Sequence, residues 1–416
     1  MPHKKKYRIL MFATGFAPYS FSENLVNSKL ALAMQNRGWH VDIISAADEG
    51  PVYSSTWTEP WLKLRNNTYE ITNNSASSSF LFFKRCLDSI TMGHPLPYVR
   101  WARQAYRKGM ELHENKPYDI ILSRSISCVS HLPALAFHKK TGVPWIANWN
   151  DPPGFLFPDP YHIKTNSFWK SIWSRYYRAV AEAATFNTFP SERLANYMQK
   201  RLNCFPAEKT RIIPHLMLDG YEPKTKPESE VFRLCHAGNL ANERDPGPFL
   251  TALRRLIDND GKGTTVEFDI IGVENDRLRH QILQLNLQGH VHCLGAMSYL
   301  NTISRLAQST VPVLIEAQCE EGVFLPSKLA DYVQAGRPIL AVSPGNGTVR
   351  DILNKYDGGI AVDCTSADVI YQGLQTIFSH WQKNTVDVLF SKKLHDYCQS
   401  STIIKQYEKL FEVSHP

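Results

Sequence analysis

The chain has 416 residues, 43% of them hydrophobic and 20% charged, a composition that fits two to three globular domains and excludes a disordered or low-complexity protein. No stretch approaches the roughly 18 uninterrupted apolar residues of a membrane span, and the start Met1-Pro-His-Lys-Lys-Lys-Tyr-Arg runs into a strand without an apolar signal region, which argues against export. The net charge of +7 is unevenly spread, +11 over residues 1–225 and −4 over the remainder, so the first half is suited to an anionic membrane face, a nucleic acid or a phosphate-bearing acceptor.

Taken in order, Tyr7-Arg-Ile-Leu-Met-Phe-Ala reads as an apolar strand with a glycine turn at Gly15. A helix follows from about Ser22 to Arg37 and stops at Gly38. Trp39–Ser45, Tyr118–Ser123, Val143–Trp149 and Ala184–Phe189 repeat the strand pattern. Ser191 caps a helix to about Leu202, and Arg211-Ile-Ile-Pro closes the half. Strands alternating with helices predict a parallel sheet covered on both faces. Residues 50–117 fit this pattern poorly: Asn66–Ser79 is polar and reads as a loop, the part from Phe80 becomes helical around Tyr98–His113, and the segment is expected as an insertion of the first domain.

A Pro- and Lys-rich linker, Tyr221-Glu-Pro-Lys-Thr-Lys-Pro-Glu-Ser-Glu, precedes a second alternation that restarts at Val231. Its strands are expected at Phe268, Val291, Val311, Pro338 and Gly359. The tail from Lys392 to Val413 is helical in character, with Leu394, Tyr397, Ile404, Tyr407 and Phe411 as a stripe. The expected domains are 1–220 and 221–395, with 396–416 a helix returning to the first domain. Ligands of such sheets sit beyond the carboxyl ends of the strands.

The most informative run is Phe324-Leu-Pro-Ser-Lys-Leu-Ala-Asp-Tyr-Val-Gln-Ala-Gly-Arg-Pro. Pro326 and Ser327 are helix-start residues, and Gly336 with Pro338 is a stop. Lys328 and Asp331 share a helix face. A cation in the first turn, with free N–H groups and the helix dipole behind it, suits a phosphate. An acid one turn on suits a sugar hydroxyl. The eight cysteines form no CxxC pair, and neither His215 nor His236 has a partner at metal-ligand spacing, so no metal site is expected. A GxGxxG fingerprint is absent, which argues against a dinucleotide dehydrogenase.

Two Rossmann-like halves, a linker, and P-S-K-x-x-[DE]-Y-x-x-x-G-x-P resemble the GT-B glycosyltransferases of family 4. The likeness spans nearly the whole chain and is most specific between Cys235 and Gly359. It implies an α/β protein of two doubly wound parallel-sheet domains facing a central cleft. It also implies a retaining transferase that uses a nucleotide-diphosphate sugar as co-substrate, with no cofactor and no bound metal. The second domain would carry the donor and the first most of the acceptor site.

By that resemblance Lys328 contacts the donor diphosphate, with a solvated helix lysine as the alternative. Asp331 stands where the family has a glutamate for the ribose, and competes with a surface or capping role. The family's sugar-contacting glutamate falls on Val323; Glu320 and Glu321 stand just before it, and Glu321 is the preferred substitute. Gly238 lets backbone approach a ligand, and Arg244 is the candidate second phosphate cation. In the first half Gly15 lies where the family has a flexible loop. Glu23 and Asn24 face the acceptor or cap their helix. Asp151, in Asn148-Trp-Asn-Asp-Pro-Pro-Gly, ends a strand where relatives carry a catalytic residue; the competing account is a turn-making Asx residue.

The implied partners are a nucleotide sugar and a glycan or lipid-linked acceptor in surface polysaccharide synthesis, with no nucleic acid. Trp169, Trp173 and Tyr176 on one helical face, with Phe82, Phe83, Trp101 and Tyr106 among cations, suggest a cytoplasmic enzyme peripheral to an anionic membrane. The aromatics are alternatively core. A nucleotide-sugar epimerase on the same fold and a non-catalytic binding module are the other readings; no clustered carboxylates in the sequence propose an epimerase.

Overall fold

The computed structural model describes residues 5–19, 21–47, 56–72, 86–87, 89–90, 99–125, 128–228, 230–240 and 243–414. The chain forms two compact units. One comprises Met1–Phe157, His162–Asp219 and Ser400–Pro416, the other Pro158–Tyr161 and Gly220–Gln399.

The first unit is built on seven parallel strands: β1 Arg8–Ala13, β2 His40–Ala47, β3 Thr68–Thr72, β4 Ile120–Ser125, β5 Trp145–Trp149, β6 Phe186–Phe189 and β7 Thr210–Ile212. Their order is β3-β2-β1-β4-β5-β6-β7, so the winding reverses between β1 and β4. Register is set by apolar residues on both faces; Ile9 faces Val41 on one side and Ile120 on the other, and β5 is buried throughout. Such runs are what a sheet covered on both faces demands.

The helix Ser22–Asn36 follows β1 and ends as its pattern predicts, with Gly38 in the left-handed region at φ +86°. Ser191 caps Glu192–Leu202 through its side chain, which accepts from the Leu194 N–H. Such a cap contributes on the order of 1 kcal/mol.

One expectation fails here. Over its described part, residues 66–72, the polar run is not a loop: Asn66 and Asn67 close the 3-10 turn Trp61–Asn67, and Thr68–Thr72 pairs parallel with β2 as an edge strand. An edge strand keeps one side open to solvent, so it has no need of an apolar run; half-exposed Thr and Tyr residues suffice. The helix expected over Tyr98–His113 forms as Val99–Asn115, and it packs on β2, β3 and the helix His131–Thr141. Phe82 and Phe83 lie outside the described residues.

The second unit repeats the plan with six parallel strands: β8 Val231–Ala237, β9 Thr265–Ile271, β10 Val291–Gly295, β11 Val311–Ile315, β12 Ile339–Ser343 and β13 Gly359–Asp363. Their order is β10-β9-β8-β11-β12-β13, with the reversal between β8 and β11. Its core gathers Phe232, Leu234, Phe249 and Phe268 with Leu340 and Ile370.

The tail splits into Lys392–Cys398 and Ser400–Ser414. Of its predicted stripe, Leu394, Ile404, Tyr407 and Phe411 are buried, while half-buried Tyr397 stacks on Tyr356 at 4.3 Å. The last helix completes the first unit. Phe411 meets Tyr7 and Trp39, each at 5.1 Å between ring centres, and Arg37 donates to both oxygens of Glu408 at 2.8 Å. A fully buried phenylalanine cut to alanine costs about 3–5 kcal/mol. Phe411→Ala is therefore expected to lower the unfolding free energy of the first unit, read from denaturant melts, by that amount. A loss under about 1 kcal/mol would mean that the final helix is not part of this core.

Candidate functional site

Each sheet places its chemistry at the reversal point, where two neighbouring strands send their connections to opposite faces and leave a crevice at the carboxyl edge.

In the first unit, the turn after β1 is fastened rather than loose. Asn27 Nδ2 donates to the Gly15 carbonyl at 2.8 Å, Asn24 Nδ2 to the Phe16 carbonyl at 3.0 Å, and the Thr14 N–H to Ser130 Oγ at 3.0 Å. The flexible loop expected at Gly15 is thus replaced by a turn tied to the following helix. β4 ends on buried Arg124, whose Nε donates to Asn27 Oδ1 at 2.7 Å and whose Nη1 donates to Tyr407 Oη at 3.2 Å. β5 runs out into Asn150, whose amide donates to both oxygens of Glu23 at 2.7 Å.

Glu23 is therefore not a helix cap. Its partner is 127 residues away in sequence, and the N-cap position is Phe21, without a side-chain cap. Burial pushes the Glu23 carboxyl up to about 7, with Asp151 adding to the rise and Arg124 opposing it. Burial alone raises Asp151 to about 6. Asp151 makes no hydrogen bond or salt bridge among the described residues. Nor does it make an Asx turn, since Pro153, two residues on, has no N–H to donate. Buried Asn148 Oδ1 and Asn150 Oδ1 lack donors. Two carboxyls poised near neutrality beside unpaired acceptors can bind hydroxyls and take a proton from one.

In the second unit, β8 ends at Gly238, in the left-handed region at φ +124°. A Cβ there would displace Lys328 Nζ, the movable end of its side chain, so it is the backbone angle that requires glycine. Lys328 opens the helix Lys328–Gln334, which Tyr332 locks to the strand end by accepting from the Ala237 N–H at 2.8 Å. This helix has only seven residues, and Ser327 provides no side-chain cap; the phosphate chemistry rests on side chains rather than on a long dipole.

Burial, aided by Arg244, lowers Lys328 to about 7, while Glu316 and Asp331 act the other way. Glu316, directly after β11, is raised to about 7 by burial against the pull of Arg244 and Lys328. Beneath them His236 is buried, its Nδ1 2.8 Å from the Val313 carbonyl and its Nε2 without a partner. Burial and the Lys328 charge hold it well below the usual histidine range, hence neutral.

Asp331 accepts from Tyr299 Oη at 2.6 Å, which commits one of its oxygens within the protein. Val323, at the position of the family glutamate, is fully buried. Glu321 is half-buried beside the Gly322–Gly347 bridge, and its charge acts on Cys319. The acid that acts on both cations is Glu316.

The structure thus brings Gly238, Arg244, Lys328 and Asp331 together, and separately Gly15, Glu23 and Asp151. Sequence reasoning missed Glu316, Arg124, Asn150 and Tyr407. For Glu316 and Arg124 a signal existed: a lone charge at the carboxyl end of an apolar strand.

Residues 25–215 match the family model described as "Glycosyl transferase 4-like domain", and residues 221–386 match "Glycosyl transferases group 1". The chain belongs to the GT-B glycosyltransferases of the family 4 type. It is an enzyme of the glycosyltransferase class, which takes nucleotide-sugar donors. No curated protein matches the sequence. Among solved structures it resembles HepE from Anabaena in complex with UDP and glucose, at 14% identity, TM-score 0.66, covering 99% of this chain and 100% of that one. Sucrose-phosphate synthase from Thermosynechococcus elongatus is similar at 13% identity and TM-score 0.67, covering 98% and 99%. A UDP-N-acetylglucosamine 2-epimerase aligns at 11% identity and TM-score 0.56, covering 99% and 97%. At these identities the likeness concerns the fold.

The Gly238–Lys328 contact has a thermodynamic signature. Gly238→Ala is expected to destabilise the second unit by about 1–2 kcal/mol from backbone strain plus the collision with Lys328. In a Lys328→Ala background the collision vanishes, so the same substitution should cost measurably less in a denaturant double-mutant cycle. Equal costs in both backgrounds would remove the close contact.

Proposed function

We propose that this enzyme is a retaining transferase that moves a sugar from a nucleotide-diphosphate donor, held by the second unit, to a hydroxyl of a glycan or lipid-linked acceptor bound by the first, in surface polysaccharide assembly. The observation that carries the reading is the pair of cations, Lys328 and Arg244, at the β8/β11 reversal beside a glycine that lets a ligand approach. The departing nucleotide diphosphate gains negative charge as the anomeric C–O bond breaks. Two preorganised cations stabilise that charge, and the proposed reaction needs no metal to do so. The HepE structure, which contains UDP and glucose, supports a nucleotide-sugar site on this fold.

Asp151, uncommitted to any partner, hydrogen-bonds the acceptor hydroxyl; Glu23 and the free Asn148 and Asn150 oxygens hold further hydroxyls. The epimerase fold likeness supplies a second reading, which the same assay separates: interconversion of the sugar without release of nucleotide diphosphate.

A panel of nucleotide sugars should show release of nucleotide diphosphate. Lys328→Ala should cost about 100-fold in turnover, the scale of losing one such stabilising contact, with the fold intact. Asp151→Asn should lower turnover strongly and leave donor affinity unchanged. Because the ionised Asp151 is the stronger, charge-assisted acceptor for that hydroxyl, wild-type activity should fall as pH drops through about 6, and this acid limb should be lost in Asp151→Asn. Normal turnover in either variant removes that residue from its role.

We further propose peripheral docking on an anionic membrane. Among the described residues no helix is long and apolar enough to cross one, and the aromatic face expected on the helix Ser167–Ala183 divides. Tyr176 is buried and donates to the Cys128 carbonyl at 3.1 Å, and Trp173 packs on Phe155 and Tyr177. Trp101 is likewise core, donating to the Ser45 carbonyl at 3.2 Å. Phe168 at 68% and Trp169 at 39% exposure remain, with Lys164 and Lys170 nearby in sequence. Co-sedimentation with phosphatidylglycerol vesicles should weaken with salt and drop in Phe168→Ser/Trp169→Ser. Equal recovery with neutral vesicles would discard the docking.

A further inference from the structure

Glu316 has no part in the reaction described above, yet it occupies the centre of the second unit's crevice. It stands directly after β11, opposite the end of β8, at the one place where the sheet order reverses. Two cations act on it from different elements, Lys328 from the helix Lys328–Gln334 and Arg244 from the segment after β8. Among the described residues none of the three side chains is joined to another by a hydrogen bond or salt bridge. They act on one another at the ends of β8 and β11, where the Lys328 Nζ lies close over Gly238, without closing on each other.

The remaining groups around Glu316 do not compete for its proton. Tyr161, Cys319 and Cys364 each feel its charge, and burial raises all three, so they are uncharged at neutral pH. His236 is neutral. Glu321 acts on Cys319, Glu243 on Tyr161 and Asp363 on Cys364, while Asp331 acts on Lys328 and is held by Tyr299.

A diphosphate drawn to Lys328 and Arg244 brings at least two negative charges into this space. An ionised Glu316 would repel them at low effective dielectric, where like charges interact strongly. A protonated Glu316 removes the repulsion and becomes a hydrogen-bond donor to phosphate or sugar oxygen. In the empty site the ionised form has a purpose of its own, because it offsets two neighbouring cations.

We propose that the second unit binds the diphosphate of its donor together with a proton, which is taken up at Glu316 as the cations transfer their attraction from that carboxylate to the ligand. This inference rests on the reading of Lys328 and Arg244 as the donor-phosphate site. It makes Glu316 a part of donor recognition whose protonation state, rather than its position alone, decides affinity.

The sign follows from linkage. Burial places the empty-site Glu316 midpoint at about 7, and the bound ligand's charge raises it further. Affinity is therefore full below that midpoint and declines as pH rises through it. The probe is inorganic pyrophosphate, titrated by calorimetry into the full chain and into Glu316→Gln at pH 6, 7 and 8. Each titration is run in two buffers of different ionisation enthalpy. Pyrophosphate's own titration is common to both proteins, so the difference between them reports Glu316.

The two proteins should bind alike at pH 6. At pH 8, one unit above the midpoint, about one site in ten is protonated, so Glu316→Gln should bind more tightly than wild type, with about tenfold as the upper bound because Lys328 loses the charge that keeps its ammonium protonated. Wild type should also take up more protons per pyrophosphate than the variant. A variant that binds more weakly at every pH would overturn the proposal, because Glu316 would then serve as a permanent counter-ion that keeps Lys328 charged. Equal affinities and equal proton uptake would overturn it as well. If neither protein binds pyrophosphate, the phosphate-site reading itself fails, a result distinct from the other two. Should Glu316→Gln lose its cooperative melt, Glu316→Ser provides the same comparison without the carboxyl.

Discussion

Charge taken out of water must be answered by charge or by hydrogen bonds, and this constraint organises both units. A doubly wound parallel sheet buries its strands on both faces, so its interior tolerates ions only when they are paired, as Asp42 is with Arg8 and Asp269 with Arg233 and Arg305. The carboxyl edge at the reversal point, where the connections part, holds charges without an ion pair. Arg124, Glu23 and Asp151 gather at that edge in the first unit, and Lys328, Arg244 and Glu316 in the second. For Glu23, Glu316 and Lys328 burial is the main cause of the shifted proton affinity, and the opposite charge restores only part of the loss. Groups balanced in this way change protonation near neutral pH, which surface residues of the same types do not do.

The two edges resolve the constraint differently. In the first unit hydrogen bonds do most of the work: Arg124 is held by Asn27 and Tyr407, and Glu23 by Asn150. That network is rigid and leaves free acceptors, suited to a substrate rich in hydroxyls. In the second unit Lys328, Arg244 and Glu316 make no ion pair with one another among the described residues, and the Lys328 Nζ lies close over Gly238. That arrangement is poor for stability and good for an incoming anion, a trade common where function requires strain or desolvation.

Much of this was legible in the sequence, because buried parallel strands announce themselves as apolar runs. Arg8–Ala13 and Trp145–Trp149 fall within their predicted segments, and Ile339–Ser343 begins one residue after its predicted start at Pro338. β3 did not announce itself, since an edge strand such as Thr68–Thr72 needs only one covered side. Among site residues, Lys328 and Gly238 were visible through local pattern. Glu316 and Arg124 showed only as lone charges at strand ends, and their partners came from strand order: Arg124 and Asn27, 97 positions apart, become neighbours only when the sheet reverses. Trp173 and Tyr176 misled for the converse reason. Periodicity gives a helix its face but not the identity of what covers it, and here the covering is Phe155, Tyr177 and the Cys128 carbonyl.

The return of Ser400–Ser414 to the first unit bears on how the chain is made. During synthesis residues 1–219 emerge first, and domains tend to fold as they appear. Yet Arg37 must wait for Glu408, 371 positions later, and Arg124 for Tyr407, 283 positions later. The second unit is a continuous segment from Gly220 to Gln399 apart from Pro158–Tyr161, so nearly all of it is available before the first unit can be finished. Until residues 400–414 have left the ribosome, the Tyr7–Trp39 surface lacks its cover and Arg124 lacks its phenol. The nascent enzyme therefore passes through a state with an exposed aromatic patch, and the emergence of this one helix both covers the patch and completes the Arg124 network.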